Sequence, residues 1–191
     1  GRLRGAGNEV VVCDPDRRKA ERLAAAGARV AASLGGLATA CDVVVSMLPS
    51  DDILRSAALG DGGLRGHLRP GAIHMVSGTH GIAVMRELIE GHAAARQTLV
   101  ACHVLGRPDL AATGKLGLVP GGPPAAVETV RPLFAALGER VIEAGANPLS
   151  ATALKIANNF ILGCAIEAMG EGMALVRKYD VDPLVFHQVL V

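Results

Sequence analysis

Short β-branched runs, recurring between stretches of helix-forming residues, constrain this chain more than any other feature. The run Asp42–Met47, DVVVSM, is continuously apolar at its centre, the pattern of a strand buried on both faces of a parallel sheet. EVVVCD, ending at Asp14, and Val30-Ala31 precede it; Ala72–Val76, Thr98–Val104, Lys115–Val119 and Arg140–Glu143 follow. Helices are predicted between them. One covers DRRKAERLAAAGARV, with Ala20, Leu23 and Ala24 inward and a stop at Gly27. Others cover Leu34–Ala40, Asp51–Leu59, Ala83–Ala95 and Ala125–Leu137, and residues 1–7 read as the tail of a further helix. Turns fall at Gly60–Gly63 and Pro70-Gly71. Such alternation specifies an α/β fold with a doubly wound, mostly parallel sheet.

We place this domain at residues 1–146, followed over 147–191 by the start of an all-α domain. Its first helix is predicted over Pro148–Tyr179 with Ser150 as N-cap, and a second begins at Asp182-Pro183. From Phe160 to Met169 the long helix is apolar nearly all round, which predicts burial between other elements. Lys155, Asn158 and Asn159 project from one side near its start, because residues three and four apart share a helix face. An ammonium beside two carboxamides on an apolar helix is costly unless it has a partner or a task. The plainer alternative is that Lys155 snorkels to solvent and the asparagines cap nearby backbone.

Composition narrows the classes. Half of the 191 residues are hydrophobic and only 2% aromatic, so the core must be built from Ala, Val, Leu and Ile. A net charge of +1 with scattered cations argues against nucleic-acid and membrane-surface partners. Cys13, Cys41, Cys102 and Cys164 are far apart and read as small apolar residues in a reduced compartment. No signal peptide is evident, and no apolar run reads as long enough and free enough of charge for a bilayer, so a soluble cytoplasmic protein is expected. Metal spacing is absent, with isolated histidines and no paired carboxylates.

Ligands of open α/β sheets bind at the carboxyl ends of the strands. Asp14 closes the first run, as a ribose-binding acid or as a helix cap. Leu48-Pro49-Ser50 closes the next, where proline can press the chain flat against a ligand. Ser77-Gly78-Thr79-His80 closes Ala72–Val76; it suits a carboxamide or substrate oxygens, or is a simple turn. His80 reads as a general acid or as a solvated loop residue. Leu105-Gly106-Arg107-Pro108 closes Thr98–Val104; there Gly106 permits close backbone approach, and Arg107 is a carboxylate clamp or a surface cation.

The order of strand-Asp14, SMLPS (46–50), VSGTHG (76–81), CHVLGRPDLAATGKL (102–116) and ATALKIANNF (151–160) resembles the β-hydroxyacid dehydrogenase family. That family includes 3-hydroxyisobutyrate and 6-phosphogluconate dehydrogenases, with imine reductases as relatives. Its most specific piece here is Lys-x-x-Asn-Asn, Lys155 to Asn159. The resemblance implies a Rossmann-like fold and an NAD(P)-dependent oxidoreductase that moves a hydride between nicotinamide and a small 3-hydroxy acid or semialdehyde. Lys155 matches the catalytic lysine and Asn159 the amide beside it. Asp14, Leu48, Pro49 and Thr79 match cofactor contacts. Ser77, Gly78, Thr79, Leu105, Gly106, Arg107 and Asn158 fall at substrate positions.

Two departures qualify this reading. Leu105 replaces the serine of the family's Asp-Ala-Pro-Val-Ser-Gly-Gly loop, and Arg107 replaces its second glycine. A substrate more apolar at one end, or a carboxylate held by Arg107, is therefore expected. The resemblance also implies a Gly-x-Gly-x-x-Gly loop and its strand ahead of Gly1, so the stretch is expected to be a fragment that binds a dinucleotide poorly by itself. Asp14 favours NAD over NADP, although Arg17 and Arg18 could accept a 2′-phosphate. A homodimer or higher homo-oligomer, a small carboxylate substrate and no membrane partner complete the expectations. An imine reductase and a non-catalytic dinucleotide-binding or dimerisation module are the alternatives.

Overall fold

The computed structural model describes residues 1–190. The chain forms two compact units, Gly1–Lys155 and the residues from Ile156 onward. In chain order the elements are α1 (Arg2–Gly5), β1 (Val11–Val12), α2 (Arg17–Ala25), β2 (Arg29–Val30), α3 (Leu34–Thr39), β3 (Val43–Ser46), α4 (Asp51–Leu59) and α5 (Leu64–His67). There follow β4 (Ile73–Val76), α6 (Ile82–Ala94), β5 (Thr98–Leu105), α7 (Pro108–Thr113), β6 (Leu116–Gly121), α8 (Pro124–Leu137), β7 (Gly138–Val141), α9 (Pro148–Lys178) and α10 (Pro183–Leu190). The short helices α5 and α7 lie in stretches to which the sequence reading assigned no helix or strand.

The main sheet has five strands in the order β3-β4-β5-β6-β7, while β1 and β2 pair in a separate two-stranded parallel sheet. Pairing is parallel throughout the main sheet except at β5-β6, where Ala101 faces Gly121 and Leu105 faces Gly117 in antiparallel register. The β5–β6 connection carries only α7, too little chain for the crossover that a parallel neighbour requires.

Side chains alternate across the strands and split the core into two faces. Ile73 and Met75 of β4, Val100 and Cys102 of β5, and Leu116 and Leu118 of β6 pack against Val127, Val130 and Phe134 of α8. Val76, Leu99, Ala101 and Val119 pack on the opposite face with Leu54 and Ala58 of α4 and Val84, Met85 and Leu88 of α6. Helices on both faces make the sheet doubly wound, in agreement with the α/β expectation. Each fully buried Leu, Met or Phe contributes roughly 1.5–3 kcal/mol. Ala151 joins the second layer and meets Gly121, where an added Cβ would lie 2.9 Å from the Ala151 Cβ. The bare glycine therefore lets the start of α9 lie against β6.

Several expectations are corrected. DVVVSM is not covered on both faces: Val45 is 39% and Met47 63% exposed on one face, while Val44 and Ser46 are buried on the other. In α2 only Ala20 is buried, and Leu23 and Ala24 are exposed. Ser150 lies inside α9. The cap is Asn147, whose Oδ1 accepts from the Leu149 N–H at 3.0 Å, with Pro148 as the first helical residue.

In the second unit, Phe160, Ile161, Leu162, Ile166 and Met169 are all more than half exposed, against the predicted burial. The single short helix α10 cannot cover an all-round apolar helix. It begins as expected, with Asp182 Oδ1 accepting from the Leu184 N–H at 2.9 Å, and the Phe186 ring lies over Gly172. By length and composition α9 is long and apolar enough to cross a membrane, which also corrects the reading that no run here is.

Candidate functional site

Because β3 and β4 run parallel, with Ser46 beside Val76, their carboxyl ends open side by side. Leu48 is half-buried against the core and Pro49 is exposed, while Ser50 caps α4 by accepting from the Ile53 N–H at 3.3 Å. Ser77 is buried and its N–H donates to the Ser46 carbonyl at 2.9 Å, carrying the ladder one residue beyond β4. Gly78 is buried and tightly surrounded: a Cβ there would lie 2.5 Å from His80 Nε2 and 2.9 Å from the Leu48 carbonyl oxygen. Thr79 is exposed at the tip.

His80 is not a solvated loop residue. Its side chain is buried, with Nδ1 3.0 Å from Asp51 Oδ1, and both Asp51 oxygens also accept from the Gly81 N–H at 3.2 Å. Among the described residues His80 Nε2 has no hydrogen-bond partner.

At the end of β5, Lys155 Nζ donates to the Val104 carbonyl at 2.8 Å. The ammonium is half-buried, and desolvation lowers its pKa from the ordinary lysine value. Leu105 is half-buried beside Gly117, where an added Cβ would lie 3.2 Å from the Leu105 Cβ. Gly106 has φ +134°, a conformation that favours glycine. Arg107 is exposed, with Nε 3.8 Å from Asp109 Oδ1 in the first turn of α7. Asn158 and Asn159, in the second unit, are exposed; Asn158 Nδ2 lies 3.5 Å from Asn159 Oδ1, and among the described residues neither caps backbone.

Asp14 is exposed just beyond β1 and accepts from the Asp16 N–H at 2.8 Å. It is not the helix cap; Asp16 is, accepting from the Arg18 N–H at 3.1 Å.

Two sets of buried histidines escaped the sequence reading. His103 Nδ1 lies 2.7 Å from the Gly78 carbonyl and its Nε2 3.0 Å from Thr152 Oγ1, so one side chain joins the loop after β4 to the second turn of α9. Since a carbonyl only accepts, Nδ1 carries the proton and Nε2 accepts from Thr152. Burial is the main reason its pKa falls to about 4, and the Lys155 and His80 charges push the same way. The second set is a chain through the core. Gln97 Oε1 is 2.7 Å from His92 Nδ1, His92 Nε2 is 2.9 Å from His74 Nδ1, and His74 Nε2 is 2.9 Å from Ser46 Oγ. The Gln97 amide donates to the Arg65 and Leu68 carbonyls, so a single run of neutral tautomers satisfies every member. Desolvation lowers both histidine pKa values. The only available signal was a histidine inside each of two apolar strands, at 74 and 103.

The chain is similar to known proteins along nearly all of its length. The chain is 32% identical over 184 residues to the uncharacterized oxidoreductase YfjR of Bacillus subtilis, covering 96% of this chain and 64% of that protein. It is 34% identical over 188 residues to the NAD-dependent L-serine dehydrogenase of Pseudomonas aeruginosa, covering 97% of this chain and 62% of the relative. The structure of Mycobacterium tuberculosis 3-hydroxyisobutyrate dehydrogenase with L-serine superposes with a TM-score of 0.86 at 26% identity, over 95% of this chain and 61% of that one. The chain thus spans less than two thirds of the length of each. Residues 1–145 match the family described as the NAD binding domain of 6-phosphogluconate dehydrogenase, and this chain belongs to that family.

Proposed function

We propose that the protein carrying this chain is an NAD(P)-dependent oxidoreductase acting on a small 3-hydroxy acid or its semialdehyde, with Lys155 as general acid and base. The carrying observation is the Lys155 ammonium, half-buried and tethered to the Val104 carbonyl at the carboxyl end of β5. Relatives named for L-serine, 3-hydroxyisobutyrate and L-threonate support the substrate class.

The residues suit a nicotinamide dinucleotide. Asp14 offers an exposed carboxylate to a ribose diol. His80 Nε2, buried and without a partner among the described residues, and the Leu48 carbonyl lie beside Gly78, with Thr79 exposed at the loop tip; these are polar groups of the kind a carboxamide needs. When bound, nicotinamide supplies or accepts the hydride. In the reducing direction Lys155 gives a proton to the substrate oxygen as the carbonyl carbon gains hydride; in the oxidising direction its free amine takes the hydroxyl proton. One N–H stays on Val104 in either state, which holds Nζ in place while its remaining sites face substrate. A lowered pKa increases the fraction of free amine near neutral pH. The exposed Asp14 carboxylate repels a 2′-phosphate, so NAD is the proposed cofactor.

The test is reduced-nicotinamide absorbance with NAD and NADP against L-serine, 3-hydroxyisobutyrate and L-threonate, with one cyclic imine assayed in the reducing direction. Turnover of an acid that is lost in Lys155→Ala supports the proposal. Turnover of the imine alone, or none with tight cofactor binding, overturns it in favour of a reductase of imines or a binding module.

A further inference from the structure

His103 has no role in the chemistry just described, yet it joins both halves of the proposed site. It lies on the β5 face that carries Leu99 and Ala101 and is fully buried. Its Nδ1–H holds the Gly78 carbonyl at 2.7 Å, at the centre of the Ser77–Thr79 loop. On the other side Nε2 meets the Thr152 hydroxyl at 3.0 Å, and Thr152 is also fully buried. Thr152 precedes Lys155 by three residues, so the two lie on one face of α9. The next residue of β5 completes the link, because the Val104 carbonyl accepts from Lys155 Nζ. Successive residues of one strand therefore grip successive turns of one helix, His103 through its side chain and Val104 through its backbone.

The Thr152 hydroxyl has a single proton and two acceptors within reach, His103 Nε2 and the Pro148 carbonyl at 3.2 Å. With Nδ1–H committed to Gly78, only donation to Nε2 satisfies the imidazole. That choice ties the helix to the strand instead of leaving Thr152 bonded within its own helix. A leucine at position 103 would fill similar space but release both contacts, freeing Gly78 on one side and the Lys155 turn on the other.

We propose that His103 is a positioning residue: it sets the distance between the Ser77–Thr79 loop and the Lys155 ammonium by holding Gly78 and Thr152 at once. This rests on Lys155 being the general acid and base. The titratable groups bearing on the imidazole are Lys155 and His80.

The test compares His103→Leu, His103→Asn and Thr152→Val in the protein that carries this chain. Steady-state kinetics across pH is one readout; the titration of Lys155 followed by NMR with ε-¹³C lysine is the other, and needs no turnover. His103→Leu is expected to lower kcat at least roughly tenfold, within the loss that a misplacement of about 1 Å brings. The lysine limb of the kcat profile and the NMR titration should both move up toward the ordinary lysine value as the side chain becomes free to enter water. His103→Asn, which keeps a donor for Gly78, should recover part of the rate. Thr152→Val is nearly isosteric, and should reproduce the upward Lys155 shift even if His103→Leu does not fold. Its effect should not add to that of His103→Asn, since both remove the same contact. An unmoved Lys155 titration in Thr152→Val, or a rate loss confined to KM, overturns the positioning role. If the wild-type protein turns over none of the acids, the functional reading fails, and the NMR titration still decides the structural link.

Discussion

Lys155 Nζ lies 2.8 Å from the Val104 carbonyl oxygen, so the only lysine in α9 before its final turn is anchored on the end of a buried strand. A snorkelling lysine would leave its stem mobile. This one has given up part of its hydration for a single backbone acceptor, an arrangement that lowers its pKa and fixes where a proton can be delivered.

Replacing Lys155 with methionine keeps most of the stem and removes the proton donor. The expected loss in kcat is on the order of 10²–10⁴, with cofactor affinity retained. Stopped-flow hydride transfer with the best substrate measures it, and a variant within threefold of wild type removes Lys155 from the chemistry.

Gly78→Ala places a methyl group 2.5 Å from His80 Nε2 and 2.9 Å from the Leu48 carbonyl. Neither neighbour is free to retreat: the imidazole is buried and held by Asp51, and the other atom is backbone. We expect a cost of about 1–3 kcal/mol, the range for overpacking, with weakened cofactor binding. Urea unfolding and calorimetry read the two effects; an unchanged midpoint would mean the loop rearranges freely.

Asp14→Ser should shift cofactor preference toward the 2′-phosphorylated form. Removing one exposed like charge is worth about 1 kcal/mol at contact distance in water, roughly a fivefold change in the ratio of dissociation constants. Arg17 and Arg18 are then the nearest cations in sequence. Titration of both cofactors checks this, and an unchanged ratio would take Asp14 out of the selectivity.

Folding stability should fall on mild acidification. His74, His92 and His103 are all buried with lowered pKa values, so the folded state favours their neutral forms. The unfolded chain takes up protons near the ordinary histidine value of about 6.5, where the folded protein does not. Stability is therefore full above that pH and is lost as pH falls; for His103 the loss continues to about 4, where the folded state also binds the proton. His103 alone accounts for on the order of 3 kcal/mol across that window. Melting temperatures at pH 7.5, 6 and 5 test the claim, and a flat series would mean these imidazoles are hydrated.

Elements whose signal is local were legible in the chain. The strand at Ala72–Val76, the helix over Asp51–Leu59 and the Asp182-Pro183 helix start follow from β-branching, periodicity and capping chemistry, and the structure has all three. The cap of α9 was misread because Ser150 and Asn147 both suit an N-cap, and Pro148 as first helical residue favours Asn147. Ser46, His74, His92 and Gln97 carried no signal as a group, because their hydrogen bonds join residues scattered over four separate stretches.

By itself the sequence determined an alternating α/β domain, which residues stand at strand carboxyl ends, and the lysine that begins Lys-x-x-Asn-Asn. These follow from side-chain periodicity and turn chemistry, which act over a few residues. Only the tertiary structure decided that β6 runs against β5, that β3 is an edge with Val45 exposed, and that His80 is buried on Asp51. It alone joined Gly78 to Thr152 through His103. Each depends on which segments meet after the chain folds back on itself, and hydrogen-bond partners that satisfy a buried polar group leave no trace in the spacing of residues along the chain.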